Sequence, residues 1–518
     1  MPRPLPTKGP SHEALRRRAL GRRPPVLRKS VAAFTSMTAL AATSLVTGPA
    51  LFGSLEAPCE LTRSEAHHSE GVDSWNADYT RPTHPLDAVL IFLSFPDSLP
   101  TTTPPELTSD YFPATSRFFD RASYGRFTVR PHPLDHWIQM PHPSVSYAVQ
   151  RDWDADHRSA YLRDALAVSD KEVDFSRYDV VYFVADPDAP GIDSDATKVV
   201  NLETPLQADG TDVRRVVTVF EKHPPDHLVL AHETGHVFDL PDLYHRPVDG
   251  KGDWDTYVGD WDLMGSQFGL APDLFAWHKW KLGWLDDRQV VCVRGRGSRR
   301  LTLEPLGAGE EGVPEVAVNA GSPADDGASD DDGASAPPVG SAGVAGPPTD
   351  TGAAGPPAGT GTAGPPTGTG AAGPPAGTGA AGPPSDSGAP GPPGSRPLRP
   401  GVQAFGSGHG TKLALVRTGP DSVLALEARD AMGNDTSTCT QGVLVYRVHG
   451  DTESGGGPIE VLDAHPHTSA CRNTSVYPAL ADAPVDVGES FTVPGDGIRV
   501  EVEDRTPAGG WTVRITRQ

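Results

Sequence analysis

Strand and helix patterns alternate along the first half of the chain. Residues 87–95 are almost continuously apolar, which is typical of a strand buried on both faces of a sheet. Further strands are predicted at 126–130, 179–185 and 216–220, and helices at 113–122 and 158–169. Strands that alternate with helices indicate an α/β sheet.

A further helix is predicted from residue 227 to about residue 239. Asp226 supplies a capping side chain at its start, and Pro241 disfavours helical geometry at Leu240. At helical spacing, one face carries Leu230, Thr234, Val237 and Phe238, and the other carries His232, Glu233 and His236. We expect the first face to pack on the sheet, which leaves the second face available for chemistry.

A low-complexity stretch follows this region. Gly-Pro-Pro recurs at positions 346, 355, 364, 373, 382 and 391, a period of nine residues. A collagen triple helix is excluded, because the glycine it needs at every third position is replaced at Thr349, Ala358, Thr367, Ala376 and Ser385. The composition predicts a disordered, semi-extended linker of Gly, Pro, Ala and Thr.

The tail beyond this linker is predicted to be rich in β-strands. Strands are expected at 412–416, 423–427, 443–448 and 498–503. Residues 300–304, which precede the linker, alternate in the same way. We therefore expect the linker to be a long loop inserted into one β domain, since the entropy of loop closure grows only slowly with length.

These patterns divide the chain into six segments. In order, they are an export signal (1–50), a short N-terminal extension (51–84), an α/β domain that contains the helix with His232 and His236 (85–287), the first strands of a β domain (288–306), the linker (307–404) and the β-rich C-terminal domain (405–518). The export signal is indicated by a basic opening, a mildly apolar stretch over about 31–46 and the small residues that follow. An uncleaved anchor is the alternative, although a spanning helix needs roughly 20 apolar residues.

Charge and cysteine content restrict the function and the compartment. The formal charge is −23, although nine Lys/Arg and one Glu lie in the first thirty residues. The rest of the chain is therefore even more acidic, which argues against nucleic-acid binding. The four cysteines are expected to form disulfides outside the cell. Cys439–Cys471 is the preferred pair, and a disulfide between Cys59 and Cys292 is the ordinary expectation for the other two.

The segment His232-Glu233-Thr234-Gly235-His236 carries the strongest chemical signal. On a helix its two imidazoles lie one turn apart, which suits two corners of a tetrahedral zinc ion. Glu233 then faces a remaining position and can take a proton from a metal-activated water. We expect His232 and His236 to bind zinc and Glu233 to be the catalytic general base.

The third ligand must come from beyond this helix. Asp242 has the spacing of the elongated motif, in which a turn after the helix brings the next ligand back to the metal. Asp239 is the rival, because 232, 236 and 239 share a helical face. Position 239 usually holds glycine in that motif, but Asp tolerates left-handed geometry better than most residues. Pro241 favours Asp242 by ending the helix.

Three stretches together carry a family resemblance: residues 232–244, Trp261-Asp-Leu-Met-Gly265 and residues 276–284. With the shorter segments 93–97 and 123–125, they resemble the immune inhibitor A-like family of secreted bacterial zinc metalloproteases, which are metzincin-like. The resemblance covers roughly 87–285 and is weak in the β tail. It implies a metzincin-like α/β protease domain followed by a β-rich, sandwich-like domain that the disordered linker interrupts.

The resemblance also implies specific roles. His232, His236 and Asp242 would bind Zn²⁺, Glu233 would be catalytic, and Met264 would form a methionine turn beneath the metal. Family members are often stabilised by Ca²⁺, and the candidate oxygen ligands are Asp249, Asp253, Asp255 and Asp260.

Other polar and aromatic residues near these motifs have simpler expected roles. Tyr244 and Tyr257 are candidates to stabilise an oxyanion, although tyrosines near a site usually pack. His245 and His278 are expected to be structural or solvent-facing. Trp277, Trp280 and Trp284 fit one face of a helix and are expected to pack beneath the site.

The preferred function is therefore a secreted, zinc-dependent endopeptidase that acts on protein or peptide substrates, with no stable membrane insertion. One alternative is a catalytically inactive, protease-like surface-binding protein, for which Asp239 is the hint. Another is a cell-wall or matrix protein whose β tail binds a surface ligand while the repeat acts as a stalk.

Overall fold

The computed structural model describes residues 59–208, 210–222, 226–247, 253–309 and 410–518. The predicted export signal, most of the linker and Asp249 lie outside this range. In the described residues, no helix is long and apolar enough to cross a membrane.

The first sheet is built around a strand with no exposed face. Its strands are β1 (Leu86–Ser94), β2 (Val129–Gln139), β3 (Val180–Ala185), β4 (Lys198–Ala208) and β5 (Thr211–Val219). Their order is β2-β1-β3-β5-β4, and every pair is parallel except β4 with β5. Leu90 and Phe92 of β1 enter one core and Ile91 enters the other, as the continuous apolar run predicted.

Two strands of this sheet depart from the sequence expectations. The strand predicted at 126–130 begins at Val129 and continues through Pro131 and Pro133, although proline usually interrupts a strand. Proline is tolerated there because β2 is an edge strand and need not donate on its outer side. The other edge strand, β4, was not predicted, since a register shift between Asn201 and Leu206 interrupts its pairing with β5.

In the part of the chain that the structure describes, five α-helices accompany the sheet, and side-chain caps account for several of their starts. They are α1 (Pro104–Tyr111), α2 (Ala114–Ala122), α3 (Ala155–Ser169), α4 (His227–Val237) and α5 (Ala276–Lys281). Helix α3 begins three residues before the predicted start because Asp154 accepts hydrogen bonds from two backbone N–H groups of its first turn. Helices α2 and α4 contribute to one core, and α3 contributes to the other.

The tail forms two further sheets. Their strands are β6 (Val290–Cys292), β7 (Gly297–Leu303), β8 (Leu413–Arg417), β9 (Ser422–Arg429), β10 (Gly442–His449), β11 (Ile459–Val461), β12 (Ser490–Val493), β13 (Ile498–Arg505) and β14 (Trp511–Arg517). The orders are β11-β10-β9-β8-β6 and β12-β13-β14-β7. Both sheets contribute to one apolar core, with Leu426 from the first and Val513 from the second. Strand β7, from before the linker, pairs antiparallel with β14.

The α/β region and the β-rich region share a core. One cluster of buried side chains contains Leu230 of α4 and Trp261, and also Leu413 and Leu444 of the C-terminal strands. Fully buried Arg429 of β9 donates to the backbone oxygens of Trp261, Ala271 and Asp273. The β-rich region therefore packs directly behind the loop that follows α4.

The predicted disulfides are confirmed. Cys59 pairs with Cys292, and Cys439 pairs with Cys471. The first bond joins the N-terminal extension to β6. Helix α5 is shorter than the tryptophan spacing predicted, because it ends at Lys281 and Gly283 adopts a φ of 82°. Trp284 therefore lies beyond the helix, where its indole N–H donates to Pro82.

Candidate metal centre

Helix α4 presents its chemical groups to a cleft while its apolar side holds it to the sheet. The Asp226 side chain accepts from Leu228 N at 2.8 Å and caps the helix. Leu230 and Val237 belong to the core, and Thr234 lies 2.8 Å from the hydroxyl of Tyr182 on β3. The predicted division of faces is therefore present, and His232, Glu233 and His236 line a cleft of about 620 Å³.

The chain reverses immediately after the helix. Asp239 has a φ of 66°, the left-handed conformation for which the usual motif has glycine. Leu240 N donates back to Gly235 O at 3.2 Å, which closes the turn. Aspartate accepts this conformation, so the departure at position 239 leaves the reversal intact.

This reversal separates the two candidate third ligands. The Asp239 carboxylate turns away from the cleft, with Oδ2 3.0 Å from Arg63 Nη1 and Oδ1 3.0 Å from His68 Nδ1. Asp242 instead reaches the histidines. Its Oδ1 lies 3.0 Å from His236 Nε2 and 3.4 Å from His232 Nε2.

The three atoms form a triangle of the size that a zinc ion requires. The remaining edge, between the Nε2 atoms of His232 and His236, is 3.2 Å. Ligands at about 2.0–2.1 Å from a tetrahedral zinc lie about 3.3 Å from one another. In the described part of the chain, His232, His236 and Asp242 are the one group of three or more His, Cys, Asp or Glu side chains with converging ligand atoms.

Backbone contacts determine which imidazole nitrogens face this point. His232 Nδ1 is 2.9 Å from Leu263 O and His236 Nδ1 is 2.7 Å from Leu240 O, so each Nδ1 donates. A neutral imidazole that donates from Nδ1 has its lone pair on Nε2. Buried Asp242 Oδ1 has no well-aligned hydrogen-bond partner among the described residues. Three lone-pair donors thus converge, an arrangement that fits a bound cation.

The electrostatics of the three side chains are consistent with a site for positive charge. Burial alone would lower the pKa of His236, but the carboxylates of Asp242 and Glu233 outweigh it and raise this pKa to about 9. Burial likewise opposes ionisation of Asp242, yet the two histidines hold the pKa of its carboxyl well below the usual range.

Glu233 lies beside this triangle with its carboxylate oriented by the sheet. Its Oε2 accepts the backbone N–H of Val199, in edge strand β4, at 2.6 Å. Burial raises the pKa of Glu233, and the neighbouring histidines partly offset that effect. A carboxylate with a raised pKa accepts a proton more readily, which suits a general base.

A methionine packs under the helix at its one glycine. A Cβ added to Gly235 would lie 2.6 Å from Met264 Sδ, so the buried methionine would have to shift to admit a side chain at this position. Asp262 holds this turn, accepting from Met264 N at 2.7 Å through Oδ1 and from Phe275 N at 2.7 Å through Oδ2. The turn also presents the Leu263 carbonyl that orients His232.

Two contacts with the site come from distant parts of the chain and were not predicted. Ser454, in the loop between β10 and β11, has its Oγ 2.8 Å from Asp242 N and 3.4 Å from Asp242 Oδ2. Gly455 N donates to Asp242 O at 2.9 Å. The C-terminal region therefore holds the third candidate ligand, through a contact between residues 212 positions apart.

The N-terminal extension forms the second unpredicted contact. His68 not only pairs with Asp239 but stacks on His236, with ring centroids 5.6 Å apart. Burial lowers the pKa of His68 to about 4, so its ring is neutral at physiological pH. The extension thus packs against the end of α4 that carries His236.

The remaining candidate residues divide between the cleft and the core. Tyr244 lines the cleft and stacks on His232 at 6.3 Å. Tyr257 packs against His245 instead. His278 is fully buried, 2.9 Å from Glu70 Oε1, and is structural.

Among the described residues, the calcium candidates Asp253, Asp255 and Asp260 do not form a group of converging ligand atoms. Asp260 is occupied by protein donors, with Oδ1 accepting from Leu270 N and Val476 N at 3.1 Å each. Asp255 lines the cleft and Asp253 is exposed. Calcium binding stays a prediction.

Comparison with models of known protein families and with curated proteins finds no match to this chain.

Proposed function

We propose that this chain is a secreted zinc-dependent endopeptidase, with His232, His236 and Asp242 as zinc ligands and Glu233 as general base. The observation that carries the proposal is the convergence of three lone-pair donors beside a buried carboxylate in an open cleft. Structural zinc sites are closed by four protein ligands, whereas catalytic sites have three and keep one position open. Three ligands in a cleft therefore favour catalysis.

Zinc bound there would polarise a peptide carbonyl and lower the pKa of a water toward about 7. Glu233 would take a proton from the water as the water oxygen attacks the carbonyl carbon of the peptide bond. Since Oε2 accepts the Val199 N–H, we assign proton transfer to Oε1. Glu233 then delivers the proton to the leaving amine, so the carboxylate is regenerated with each peptide bond hydrolysed.

The position of β4 supports an extended peptide as substrate. Strand β4 ends its sheet, pairs with β5 on one side and has its first residues in the cleft wall. An edge strand can bind an extended segment through its backbone. Two disulfides support action outside the cell, where such bonds persist.

We further propose kinship with the immune inhibitor A-like, metzincin-like proteases. The order of the motifs supports it, as do the left-handed turn at Asp239 and the packing of Met264 under Gly235.

The test is digestion of a denatured protein by the purified full-length chain, followed by peptide mapping. Wild-type protein is expected to cleave, to lose activity to a zinc chelator and to regain it with added zinc. Glu233→Gln should abolish cleavage while retaining zinc. Glu501→Gln, the same change on β13, is the control and should stay active. A wild-type chain that binds zinc and cleaves nothing would instead support the inactive, surface-binding alternative.

A further inference from the structure

One wall of the cleft carries three cationic side chains. Arg151, Lys198 and Arg246 line it together with Trp254. The chain as a whole has a formal charge of −23 and carboxylates also line this cleft, so the grouping of three cations on one side of it is not a consequence of composition. Its position beside the proposed reaction centre suggests recognition of an anion.

Each cationic residue makes a different contact with its surroundings. Lys198 begins β4, and its Nζ donates to Arg151 O at 2.6 Å. The Arg151 guanidinium lies 4.7 Å over the ring of Trp254. Arg246 follows Asp242 by four residues, and its backbone N–H donates to Gly455 O at 3.2 Å. The residue next to Lys198 is Val199, whose N–H orients Glu233.

This positive charge is only weakly compensated. Burial lowers the pKa of Lys198, and Arg158 and Arg246 act in the same direction. Among the described residues, the carboxylate that pairs with Arg246 is that of Asp152, 3.7 Å away and 87% exposed. Within the described residues, neither Lys198 nor Arg151 has a carboxylate oxygen within 4.0 Å.

Carboxylates also line the cleft, namely those of Asp195, Glu221, Glu233, Asp242 and Asp255, and Asp195 and Glu221 form a group of their own. The acidic side chains that act most strongly on Glu221 are Asp226, Asp195 and Glu233. Those that act most strongly on Lys198 are Glu233 and Asp152. The two groups thus meet at Glu233. A substrate carboxylate is attracted to one part of the wall and repelled from the other, which places it in a single register.

We propose that Arg151, Lys198 and Arg246 form a subsite for a substrate carboxylate next to the peptide bond that is cut. This rests on the proposed function and specifies its substrate class. The carboxylate is supplied by an Asp or Glu side chain or by the C-terminus of the substrate. Both have the same chemistry, and the experiment separates them.

The experiment measures kcat/KM for fluorogenic peptides that carry Glu, Gln or Lys at single positions on either side of a fixed neutral centre. One set is amidated at the C-terminus and a second set ends in a free carboxylate. The kcat/KM of the peptide with Glu at one position should exceed that of the Gln peptide by about tenfold or more, and the Lys peptide should have the lowest kcat/KM. A preference in the amidated set assigns the carboxylate to a side chain, and a preference only in the free set assigns it to the chain end.

Charge reversal provides the matched comparison. Lys198→Glu and Arg246→Glu should each reduce the preference for Glu over Gln, and the double variant should prefer Lys. Lys171→Glu makes the same change on an exposed residue outside the cleft and should leave the preference unaltered. Thermal unfolding checks that the variants are folded. Equal kcat/KM for Glu and Gln at every position, in a chain that cleaves, would overturn the subsite alone. Absence of cleavage of any peptide or protein would overturn the proposed function as well.

Discussion

The backbone N–H of Val199 donates to Oε2 of Glu233 at 2.6 Å. This bond joins an edge strand of the sheet to the proposed general base, and it leaves that stretch of β4 oriented toward the cleft. The same strand begins with Lys198, so one element both orients the base and carries part of the proposed carboxylate subsite. We therefore expect positioning of the proposed base and recognition of the substrate to be coupled.

Removing this donor should slow the reaction without releasing the metal. Val199→Pro deletes the N–H on an edge strand, where proline is tolerated. A hydrogen bond to a charged group contributes about 1.5–3 kcal/mol, so kcat is expected to fall about tenfold to a hundredfold. Zinc content should be unchanged. Wild-type kcat in this variant would show that the bond does not orient the base.

The serine that holds Asp242 should affect metal affinity. Ser454→Ala removes the hydroxyl that contacts Asp242 N and Oδ2. Loss of such a supporting contact typically costs roughly 10-fold to 100-fold in metal affinity. Competition with a chromogenic chelator measures the change, with Ser454→Thr expected to recover part of it. Ser490→Ala, on β12, is the control. An unaltered zinc affinity in Ser454→Ala would contradict a role for the C-terminal region in the site.

A methyl group at Gly235 should destabilise the fold. In an ordinary helix interior, Gly→Ala stabilises by about 1 kcal/mol. Here the new Cβ would lie 2.6 Å from the sulfur of fully buried Met264, and overpacking of this kind costs about 1–3 kcal/mol. Chemical denaturation of Gly235→Ala should therefore show a net loss, and Met264→Ala in the same chain should relieve part of the clash. A more stable single variant would contradict the packing.

Stability should depend on pH through the buried Glu70–His278 pair. Burial lowers the pKa of His278, but Glu70 and Asp262 outweigh it and raise the value from 6.5 to about 9. The protonated ring therefore stabilises the fold fully below about pH 6.5, and this contribution is lost as pH rises through about 9. The pKa of Glu70 is lowered despite its burial, chiefly by His278, so its contribution is present above about pH 4.5 and is lost in acid.

The measurement is the difference in melting temperature between wild type and His278→Gln across this range. It should be largest near pH 6 and should shrink toward pH 9.5. A difference that stays constant or grows at alkaline pH would show that the ring is neutral in the folded protein.

Local patterns in the sequence were sufficient for some of these features. The apolar run of β1 and the spacing of His232, Glu233 and His236 each lie within about ten residues, so periodicity reveals them. Asp242 followed from the effect of Pro241 on helical geometry. The two disulfides were also anticipated.

Long-range contacts between single polar side chains could not be predicted. Ser454 meets Asp242 across 212 residues, and Arg63 meets Asp239 across 176. Neither contact leaves a periodic signal. The orientation of the Asp239 side chain depends on such contacts, because Arg63 and His68 hold its carboxylate away from the cleft. Strand β4 was not predicted for a related reason. Its irregular pairing with β5 interrupts the alternation of apolar and polar residues that is expected of an edge strand.

Elemental analysis of the purified protein tests the proposed metal site most directly. Wild type should contain about one zinc ion per chain. Asp242→Ala should lose it, whereas Asp239→Asn should retain it because that side chain faces Arg63 and His68. Wild-type protein without zinc, or stoichiometric zinc in Asp242→Ala, would contradict the coordination by His232, His236 and Asp242 on which the proposed hydrolysis depends.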